Sequence, residues 1–277
     1  MEGKASNNKV AIITGGSDGI GKALCLKYGR AGYTIVFTGR DQNKIDAVSK
    51  KLKSKSIKHL GLKLDAASNQ DNQTLIQETI SAFGRLDVLI CNAGISMRVL
   101  FEDIELEVFD KIMAINFSGP VSLIKHALKY ITLTKGSIIG VSSINGRRAT
   151  PARTAYAASK YAFEGFLESL RMELKPKDIH VMVVCPGFTQ TNMRGSAIMP
   201  DGNEQGETKL NESKMMSAET VARKVYNSMI KKKRDLILTT QGKLAIGVGK
   251  FFPSFMDKMV FKVMSKKADS PFYKQSK

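Results

Sequence analysis

Residues 9–21 read KVAIITGGSDGIG, an apolar run that ends in a glycine-rich turn. The run over 9–14 is typical of a buried strand, and a helix is predicted over about 20–30. Gly15, Gly19 and Gly21 mark the turn from the strand into the helix. Glycine lets the backbone turn tightly and come close to a bound group, and the N–H groups at the start of a helix attract phosphate. The stretch therefore predicts a strand–turn–helix unit that can hold a pyrophosphate.

The same alternation continues along the chain. Strand-like runs are predicted at 33–39, 59–65, 86–92, 136–143 and 179–186, and helical patterns at 41–53, 69–83, 104–131 and 155–175. Strands this rich in Val, Ile and Leu fit a parallel sheet that is covered on both faces. We therefore expect an α/β fold, with a doubly wound, mainly parallel, Rossmann-like sheet and helices on both faces. A length of 277 residues suits a single domain over 1–277.

Composition excludes several classes of protein. The 3 Cys and 3 His residues are dispersed, so neither a disulfide framework nor a metal site is expected. The start of the sequence lacks the apolar core of a signal peptide, and no run of about 18 apolar residues follows, so we expect a cytoplasmic protein. The net charge is +18, and residues 221–277 carry 14 Lys and Arg against 3 Asp. Because no zinc finger, RNA-binding aromatic motif or basic zipper accompanies this charge, nucleic acid is not an expected partner.

The end of the second strand bears on which dinucleotide the glycine turn would hold. An acidic residue there binds a ribose hydroxyl, as in NAD(H) sites, whereas an arginine binds the 2′-phosphate of NADP(H). This chain has Arg40, 19 residues after Gly21. A charge-assisted contact between arginine and phosphate favours NADP(H). Asp18 and Asp41 count against a phosphate, and Arg40 is also compatible with a solvated loop, so NAD(H) stays as the alternative.

The stretch TAYAASKYAFEG, residues 154–165, places Tyr156 and Lys160 one turn apart on a predicted helix. A tyrosine with a pKa of about 10 is a poor acid–base catalyst at neutral pH, and a nearby ammonium lowers that pKa by stabilising the phenolate. Ser143 ends a predicted strand, so its hydroxyl is expected at the carboxyl edge of the sheet, where it can hold a substrate oxygen. A Tyr-x-x-x-Lys pair also occurs on ordinary helix surfaces, and a serine is also a common turn residue. The three residues together favour a catalytic site.

Further motifs follow in the order found in one family. They are TGGSDGIG at 14–21, Asp65, NAG at 92–94, Asn116, Ser143, Tyr156 with Lys160, and PGFTQT at 186–191. Over roughly residues 9–191 the chain resembles single-domain members of the short-chain dehydrogenase/reductase family. Its glycine spacing differs from the T-G-x-x-G-x-x-G fingerprint of the longer, epimerase-type relatives. The resemblance implies hydride transfer between a nicotinamide cofactor and a carbonyl or secondary alcohol.

The resemblance also implies a role for each matching residue. The catalytic residues would be Asn116, Ser143, Tyr156 and Lys160. Tyr156 would donate a proton to the carbonyl that Ser143 orients, and Lys160 would lower the tyrosine pKa and bind the nicotinamide ribose. Asn116 would anchor a water of the proton relay, although alone it is equally compatible with a buried amide that kinks its helix. The cofactor would contact Gly15, Ser17, Asp18, Gly19, Ile20, Gly21, Arg40, Asp65, Asn92, Ala93, Gly94, Tyr156, Lys160, Pro186, Gly187, Thr189 and Thr191.

Two segments depart from the regular alternation. Residues 193–213 are polar and aperiodic, and a loop of about 20 residues after a strand is more often a functional lid than a structural connection. We assign 192–216 to a substrate lid, with a tolerated insertion as the alternative. After a strand-like run at 235–240, residues 241–277 form a basic extension in which an amphipathic helix begins near Pro253. Its apolar residues are Phe255, Met256, Met259, Val260, Val263 and Met264.

The extension allows two interpretations. The predicted helix either packs on the core or on a partner subunit, or it lies on an anionic membrane face as a peripheral contact. We expect a homodimer or homotetramer that reduces a lipophilic ketone with NADP(H). The lipophilic substrate rests on the apolar extension and on a likeness to steroid- and sphingolipid-acting members of the family. The alternatives are a catalytically silent dinucleotide-binding regulator, which has no need of a Tyr–Lys pair, and a membrane-surface adaptor.

Overall fold

The computed structural model describes residues 8–191, 197–198, 215–265 and 272. The strands in these residues are β1 (Val10–Ile13), β2 (Thr34–Gly39), β3 (His59–Lys63), β4 (Val88–Cys91), β5 (Ser137–Val141), β6 (His180–Cys185), β7 (Thr189–Gln190), β8 (Met216–Ser217) and β9 (Asp235–Ile237). The helices are α1 (Gly19–Arg30), α2 (Gln42–Lys53), α3 (Asn69–Phe83), α4 (Leu106–Met113), α5 (Gly119–Thr134), α6 (Thr154–Leu174), α7 (Ala218–Ile230), α8 (Thr240–Phe251) and α9 (Pro253–Ser265).

Seven strands form one sheet in the order β3-β2-β1-β4-β5-β6-β9, and every neighbouring pair is parallel. The chain moves from β1 to one edge, returns to β4 beside β1, and then moves to the other edge. The direction of winding therefore changes between β1 and β4, which is where open α/β sheets bind ligands, beyond the carboxyl ends of the strands. The predicted doubly wound parallel sheet is confirmed.

Helices cover both faces of the sheet. Successive side chains of a strand point to opposite faces. Ile13 belongs to the apolar cluster that contains Leu24 of α1 and Val221 of α7, whereas Ile12 belongs to the cluster that contains Leu167 of α6. Because helices cover both faces of the sheet, the strands do not alternate apolar with polar residues, which explains their continuous apolar sequences.

Polar residues fix where several helices begin. A side-chain oxygen accepts a hydrogen bond from a first-turn backbone N–H at the start of each of five helices, at Asp18 (α1), Asp41 (α2), Ser68 (α3), Ser217 (α7) and Thr239 (α8). Such caps replace acceptors that the helix itself does not provide. They set the points at which the chain leaves the carboxyl edge of the sheet.

The structure differs from the expected elements in several places, and α7, β7 and β8 were not predicted at all. The helix predicted over 104–131 is divided into α4 and α5 by a π-helical turn at Ala114–Ser118, which contains Asn116. The strand predicted over 235–240 ends at Ile237, because Thr239 caps α8. The described part of the C-terminal extension holds α8 and α9, of which only α9 was predicted. Most of the lid expected at 192–216 lies outside the described residues, and the division of the chain into core, lid and extension stays a prediction.

Candidate active site

The predicted motifs meet at the carboxyl edge of the sheet. The glycine turn follows β1, residues 92–94 follow β4, Ser143 follows β5 and residues 186–191 follow β6. These four strands are consecutive neighbours in the sheet. The motifs therefore line one crevice beside the point where the winding changes direction.

The glycine turn has the close backbone approaches that a dinucleotide site requires. Gly15 and Gly19 have positive φ angles of +63° and +50°, which side-chain-bearing residues rarely adopt. A Cβ atom at Gly21 would lie 2.0 Å from the carbonyl oxygen of Gly15. The first-turn N–H groups of α1, including those of Ile20 and Gly21, have no carbonyl acceptor within the helix. This cradle of small residues and free donors fits a pyrophosphate.

Thr14 joins the glycine turn to the segment after β4. Its Oγ1 accepts hydrogen bonds from the backbone N–H groups of Asn92 (2.9 Å) and Ala93 (3.0 Å). In return, Asn92 Nδ2 donates to the carbonyl oxygens of Thr14 (2.9 Å) and Gly15 (3.3 Å). These bonds fix the two sides of the cofactor crevice relative to each other.

A charged cluster lies at the end of β2. Arg40 is exposed there. Asp18 Oδ1 accepts from the N–H of Gly19 (2.7 Å), and its Oδ2 pairs with Lys44 Nζ (3.0 Å). Burial raises the pKa of Asp18, but hydrogen bonds from Lys44 and Gly19 outweigh burial, so the pKa lies below its usual value. Asp41 accepts from the N–H of Lys44 (3.2 Å). Both acidic residues that disfavour a bound 2′-phosphate therefore already have partners. Asp18 pairs with Lys44, and Asp41 accepts a hydrogen bond from the first turn of α2.

Ser17 and Asp65 flank this cluster. A Cβ atom at Gly39 would lie 2.5 Å from Ser17 Oγ, so Ser17 packs against the end of β2. The N–H of Leu64 donates to the carbonyl oxygen of Gly39 (3.1 Å), which places Asp65 beside the same strand end. Asp65 is exposed, and its Oδ1 accepts from the N–H of Ala67 (2.9 Å). Both residues are therefore placed where the adenosine end of a dinucleotide would extend from the glycine turn.

The three expected catalytic side chains come together above β5. Tyr156 and Lys160 are 5% and 3% exposed. The Tyr156 hydroxyl forms a hydrogen bond with the Ser143 side chain. Lys160 Nζ donates to the carbonyl oxygen of Val141 (3.0 Å) and lies 5.9 Å from the centre of the Tyr156 ring. The strand end thus positions the lysine as well as the serine.

Burial affects the two ionisable groups in opposite directions. It raises the pKa of Tyr156, although the hydrogen bond with Ser143 and the charge of Arg153 lower it. It lowers the pKa of Lys160 to about 8, although the charge of Glu164 raises it. The groups that lower the Tyr156 pKa are Ser143 and Arg153 rather than the expected Lys160, and burial outweighs them in the protein alone. A phenol that stays protonated beside Ser143 suits a general acid, which is the form that carbonyl reduction requires.

Asn116 is fully buried in the π-helical turn between α4 and α5. Its Oδ1 accepts from the N–H of Ile95 (2.9 Å), and its Nδ2 donates to the Ile95 carbonyl oxygen (3.0 Å) and to Ser159 Oγ (3.1 Å). A Cβ atom at Gly94 would lie 3.0 Å from Asn116 Oδ1 and 3.4 Å from Lys160 Nζ. The side chain therefore acts as the buried amide of the alternative interpretation, next to Lys160. Its role in anchoring a water stays a prediction.

The segment after β6 links the cofactor crevice to α8. A Cβ atom at Gly19 would lie 3.2 Å from Thr191 Cγ2, so Thr191 borders the glycine turn. Thr189 is buried, and its Oγ1 donates to the carbonyl oxygen of Gly187 (3.1 Å). A Cβ atom at Gly187 would lie 2.4 Å from Thr239 Cγ2. Residues at the two ends of this short segment thus contact opposite sides of the site.

Four residues that sequence reasoning missed also shape the site, namely Thr14, Lys44, Arg153 and Glu164. The Arg153 guanidinium lies 5.9 Å from the centre of the Tyr156 ring, three residues along the chain. Glu164 lies one turn after Lys160 on α6. Their positions could have been noticed in the sequence, because Arg153 lies three residues before Tyr156 and Glu164 lies four residues after Lys160. Lys44 had none, because it meets Asp18 from a different helix.

Helix α8 contacts the turn that follows β5, next to Ser143. The N–H of Ile144, which follows Ser143, donates to the carbonyl oxygen of Pro186 (3.4 Å). A Cβ atom at Gly242 of α8 would lie 2.3 Å from Ile144 Cδ1, and Met256 of α9 is buried. The extension therefore packs beside the site rather than apart from it.

Much of the extension's apolar surface nevertheless faces solvent. We define the C-terminal apolar surface as the exposed side chains of Phe251, Phe252, Phe255, Met259, Phe261 and Val263. Of the predicted stripe on α9, Met256 is buried, Val260 and Met264 are half-buried, and the rest is exposed. Within the described ranges, every helix is too short or too polar to cross a bilayer.

Comparison with known proteins places this site in context. Residues 9–200 match the family model described as short chain dehydrogenase. The Dehydrogenase/reductase SDR family member 7B of Rattus norvegicus is 35% identical over 239 residues, which are 84% of this chain and 74% of that protein. The Dehydrogenase/reductase SDR family protein 7-like of Drosophila melanogaster is 31% identical over 266 residues, which are 94% of this chain and 80% of that protein.

Solved structures share the fold. A short chain dehydrogenase/reductase from Burkholderia phymatum in complex with NAD has a TM-score of 0.80 at 18% identity, covering 91% of this chain and 96% of that chain. An alcohol dehydrogenase from the archaeon Thermococcus sibiricus complexed with 5-hydroxy-NADP has a TM-score of 0.72 at 22% identity, covering 84% and 96%. At these identities the likeness concerns the fold, and the two structures hold different dinucleotides.

Proposed function

The chain belongs to the short-chain dehydrogenase/reductase family, and from this premise we propose that it reduces a lipophilic ketone to a secondary alcohol with NADPH. The observation that carries the proposal is the joint placement of Ser143, Tyr156 and Lys160 beside the glycine cradle. A protein that only bound a dinucleotide would have no use for a buried phenol hydrogen-bonded to a serine above it.

The chain's own residues supply the proton and the positioning in this reaction. NADPH, when bound, provides a hydride for the carbonyl carbon. The Ser143 hydroxyl donates a hydrogen bond to the carbonyl oxygen, and Tyr156 transfers its proton to the same oxygen as negative charge develops there. The Lys160 ammonium stabilises the phenolate that remains, and it would also bind the nicotinamide ribose. The raised pKa of Tyr156 keeps the phenol protonated before the transfer.

Two cations support NADPH over NADH. Arg40 is exposed at the end of β2, and Lys44 lies on α2 beside Asp18. The Lys44 ammonium offsets the charge of Asp18, and Asp41 is oriented toward the start of α2. The local charge therefore favours binding of a 2′-phosphate more than the order of acidic and basic residues in the sequence suggests.

A lipophilic substrate is supported by the surroundings of Tyr156. Its ring belongs to an apolar cluster with Ile95, Met97, Val99, Ile112, Ile115, Ala155 and Ile198. On the other side of Ser143, α8 packs on Ile144. A substrate that reaches the Tyr156 hydroxyl would thus pass mainly aliphatic side chains, which favour apolar over charged carbonyl compounds.

We also propose that the C-terminal apolar surface lies on the cytoplasmic face of an anionic membrane. Exposed aromatic side chains near lysines are the composition of an interfacial helix, and Lys250, Lys258 and Lys262 are exposed on the same two helices. A homodimer or homotetramer formed through other surfaces remains part of the proposal, and sedimentation velocity measures it.

Cofactor titration followed by turnover tests the proposed reaction. NADPH and NADH are compared by fluorescence, and a ketone panel then runs from small diketones to steroidal and long-chain 3-keto compounds. We expect tighter binding of NADPH and a kcat/KM that rises with the apolar size of the ketone. Tighter binding of NADH, or turnover of small ketones alone, would contradict the proposal. Tight NADPH binding without turnover of any ketone would favour a silent dinucleotide-binding regulator.

A further inference from the structure

Glu164 is an ionisable group near the site that the proposed reaction does not use. It lies on α6, one turn after Lys160 and two turns after Tyr156. Its side chain is only 11% exposed. Burying a carboxylate costs stability unless the group is paired and hydrogen-bonded. The partners that compensate this cost therefore indicate what the carboxylate does.

Both carboxylate oxygens of Glu164 are engaged. Oε1 accepts hydrogen bonds from Ser142 Oγ (2.5 Å) and Cys185 Sγ (3.4 Å). Oε2 accepts from Arg147 Nε (2.6 Å), and Arg147 Nη2 donates to Asp235 Oδ1 at the start of β9 (2.7 Å). One side chain of α6 is thus bonded to groups that follow β5 and end β6, and Arg147 links it to the start of β9.

These partners enclose the catalytic serine. Ser142 precedes Ser143, and Arg147 follows the short helical turn Ile144–Gly146 that Ser143 caps. A Cβ atom at Gly146 would lie 2.4 Å from Glu164 Oε1, so the backbone of this turn closes over the carboxylate. Glu164 therefore holds both ends of the turn that positions the Ser143 hydroxyl.

Glu164 also supplies charge to the lysine. The ionisable groups that act on Lys160 from the packed elements are Glu164 on α6, Cys91 on β4 and Cys185 on β6. Burial raises the pKa of Cys91 to about 12 and that of Cys185 further, so both thiols are neutral at physiological pH. Among these neighbours Glu164 is the carboxylate, and it forms an ion pair with Arg147. Its charge opposes the burial that favours a neutral amine.

We propose that Glu164 is a positioning residue of the active site, whose carboxylate fixes the turn that carries Ser143 and keeps Lys160 an ammonium. The role rests on the proposed function, because only a reaction that uses the charged lysine benefits from it. Glu164 itself touches neither substrate nor cofactor, so it acts through its two neighbours.

An NMR titration of lysine side chains labelled with ¹³C at Cε tests the charge directly, in the free protein. The Lys160 signal is assigned by its loss in Lys160→Arg. We expect the Lys160 midpoint to fall by about one pH unit in Glu164→Gln, the shift that removal of a nearby buried charge produces. Glu164→Asp, which retains the charge, should stay near the wild-type midpoint. Glu168→Gln, one turn further along α6 at an exposed pair with Arg234, is the matched control and should not shift it.

The outcomes separate charge from packing. An unchanged midpoint in Glu164→Gln, or equal shifts in Glu164→Gln and Glu164→Asp, would overturn the inference. If Glu164→Gln does not fold, Arg147→Gln replaces it: loss of the counter-charge should raise the Lys160 midpoint, and no rise would overturn the inference. The NMR titration requires no cofactor. If the Lys160 midpoint shifts as expected but the protein reduces no ketone, the proposed function is contradicted and the inference about Glu164 is not.

Discussion

Arg40 is the residue through which the preference for NADPH is best tested. A hydrogen bond to a charged group contributes about 1.5–3 kcal/mol, so Arg40→Ala should raise the Kd of NADPH roughly 10- to 100-fold. The Kd of NADH should change little, because NADH carries no 2′-phosphate. Fluorescence titration measures both constants. Arg30→Ala, exposed at the far end of α1, is the matched control. An equal loss of affinity for both dinucleotides would show that Arg40 does not distinguish them.

Single residues differed in how far the sequence revealed them. Tyr156, Lys160 and Ser143 were predicted because their side chains have chemistry that suits their positions on a helix and at a strand end. Glu164 was not, because a glutamate one turn after a lysine is also the ordinary composition of a solvated helix. Only its burial under the Ile144–Gly146 turn distinguishes the two cases. The role of Lys44 was not predicted, because its contact with Asp18 depends on how α1 and α2 begin after neighbouring strands.

Among the elements, α8 and α9 carry the proposed membrane contact. Burial of a phenylalanine side chain contributes about 1.5–3 kcal/mol, so Phe252→Ser with Phe255→Ser should lower the partition onto anionic vesicles at least roughly 10-fold. Co-sedimentation with vesicles rich in phosphatidylserine measures this partition. Leu133→Ser, at an exposed apolar residue of α5, is the matched control and should leave the partition unchanged.

Two results of that experiment would contradict the membrane proposal. One is a wild-type partition that is already negligible, and the other is an unchanged partition in the double variant. If the double variant instead changes the oligomeric state measured by sedimentation velocity, the C-terminal apolar surface joins subunits, and the proposal that it binds a membrane is wrong.

Elements with strong apolar patterns were predicted with nearly correct bounds, whereas α7, α8 and the π-helical turn were not predicted. The sequence of α8 contains Gly242, Gly247 and Gly249, and glycine is a poor helix former. The helix forms because Thr239 caps it and because Gly242 allows close packing on Ile144. The π-helical turn at Asn116 was hidden in a continuous helical pattern, since its extra residue is set by the contacts of a buried amide with Ile95.

For the whole molecule, the buried Lys160 is expected to lower the free energy of unfolding. Burial reduces the pKa of Lys160 from 10.5 to about 8. The charged form is therefore disfavoured by folding below about pH 8, and this cost disappears as the pH rises toward the unfolded value. Lys160→Met should raise the free energy of unfolding at pH 7 by about 2 kcal/mol, after allowing for the lost hydrogen bond to Val141.

Urea denaturation at pH 7 and at pH 10 checks this expectation. The gain in Lys160→Met should shrink at the higher pH, where the wild-type lysine is neutral. Lys125→Met, at an exposed lysine of α5, is the control and should show no such dependence. A Lys160→Met variant that is less stable than wild type at pH 7 would mean that the hydrogen bond to Val141 outweighs the cost of burial.

The architecture of the whole chain was predictable in class but not in detail. The alternation of apolar strands and helices indicates a doubly wound sheet, and the motifs place the site at its carboxyl edge. The position of β9 beside β6 could not be derived, because it depends on how the chain returns after 192–216. The ion pair of Arg147 with Asp235, which joins the catalytic turn to β9, follows from that pairing.

The measurement that tests the central claim most directly compares Tyr156→Phe with Tyr161→Phe. Both tyrosines lie on α6, but Tyr156 is buried against Ser143 and Tyr161 is 46% exposed. With saturating NADPH and the best ketone of the panel, the single-turnover rate of Tyr156→Phe should fall by roughly 100-fold or more while NADPH still binds. Tyr161→Phe should keep the wild-type rate. A Tyr156→Phe variant that reduces the ketone at the wild-type rate would contradict the assignment of Tyr156 as the proton donor.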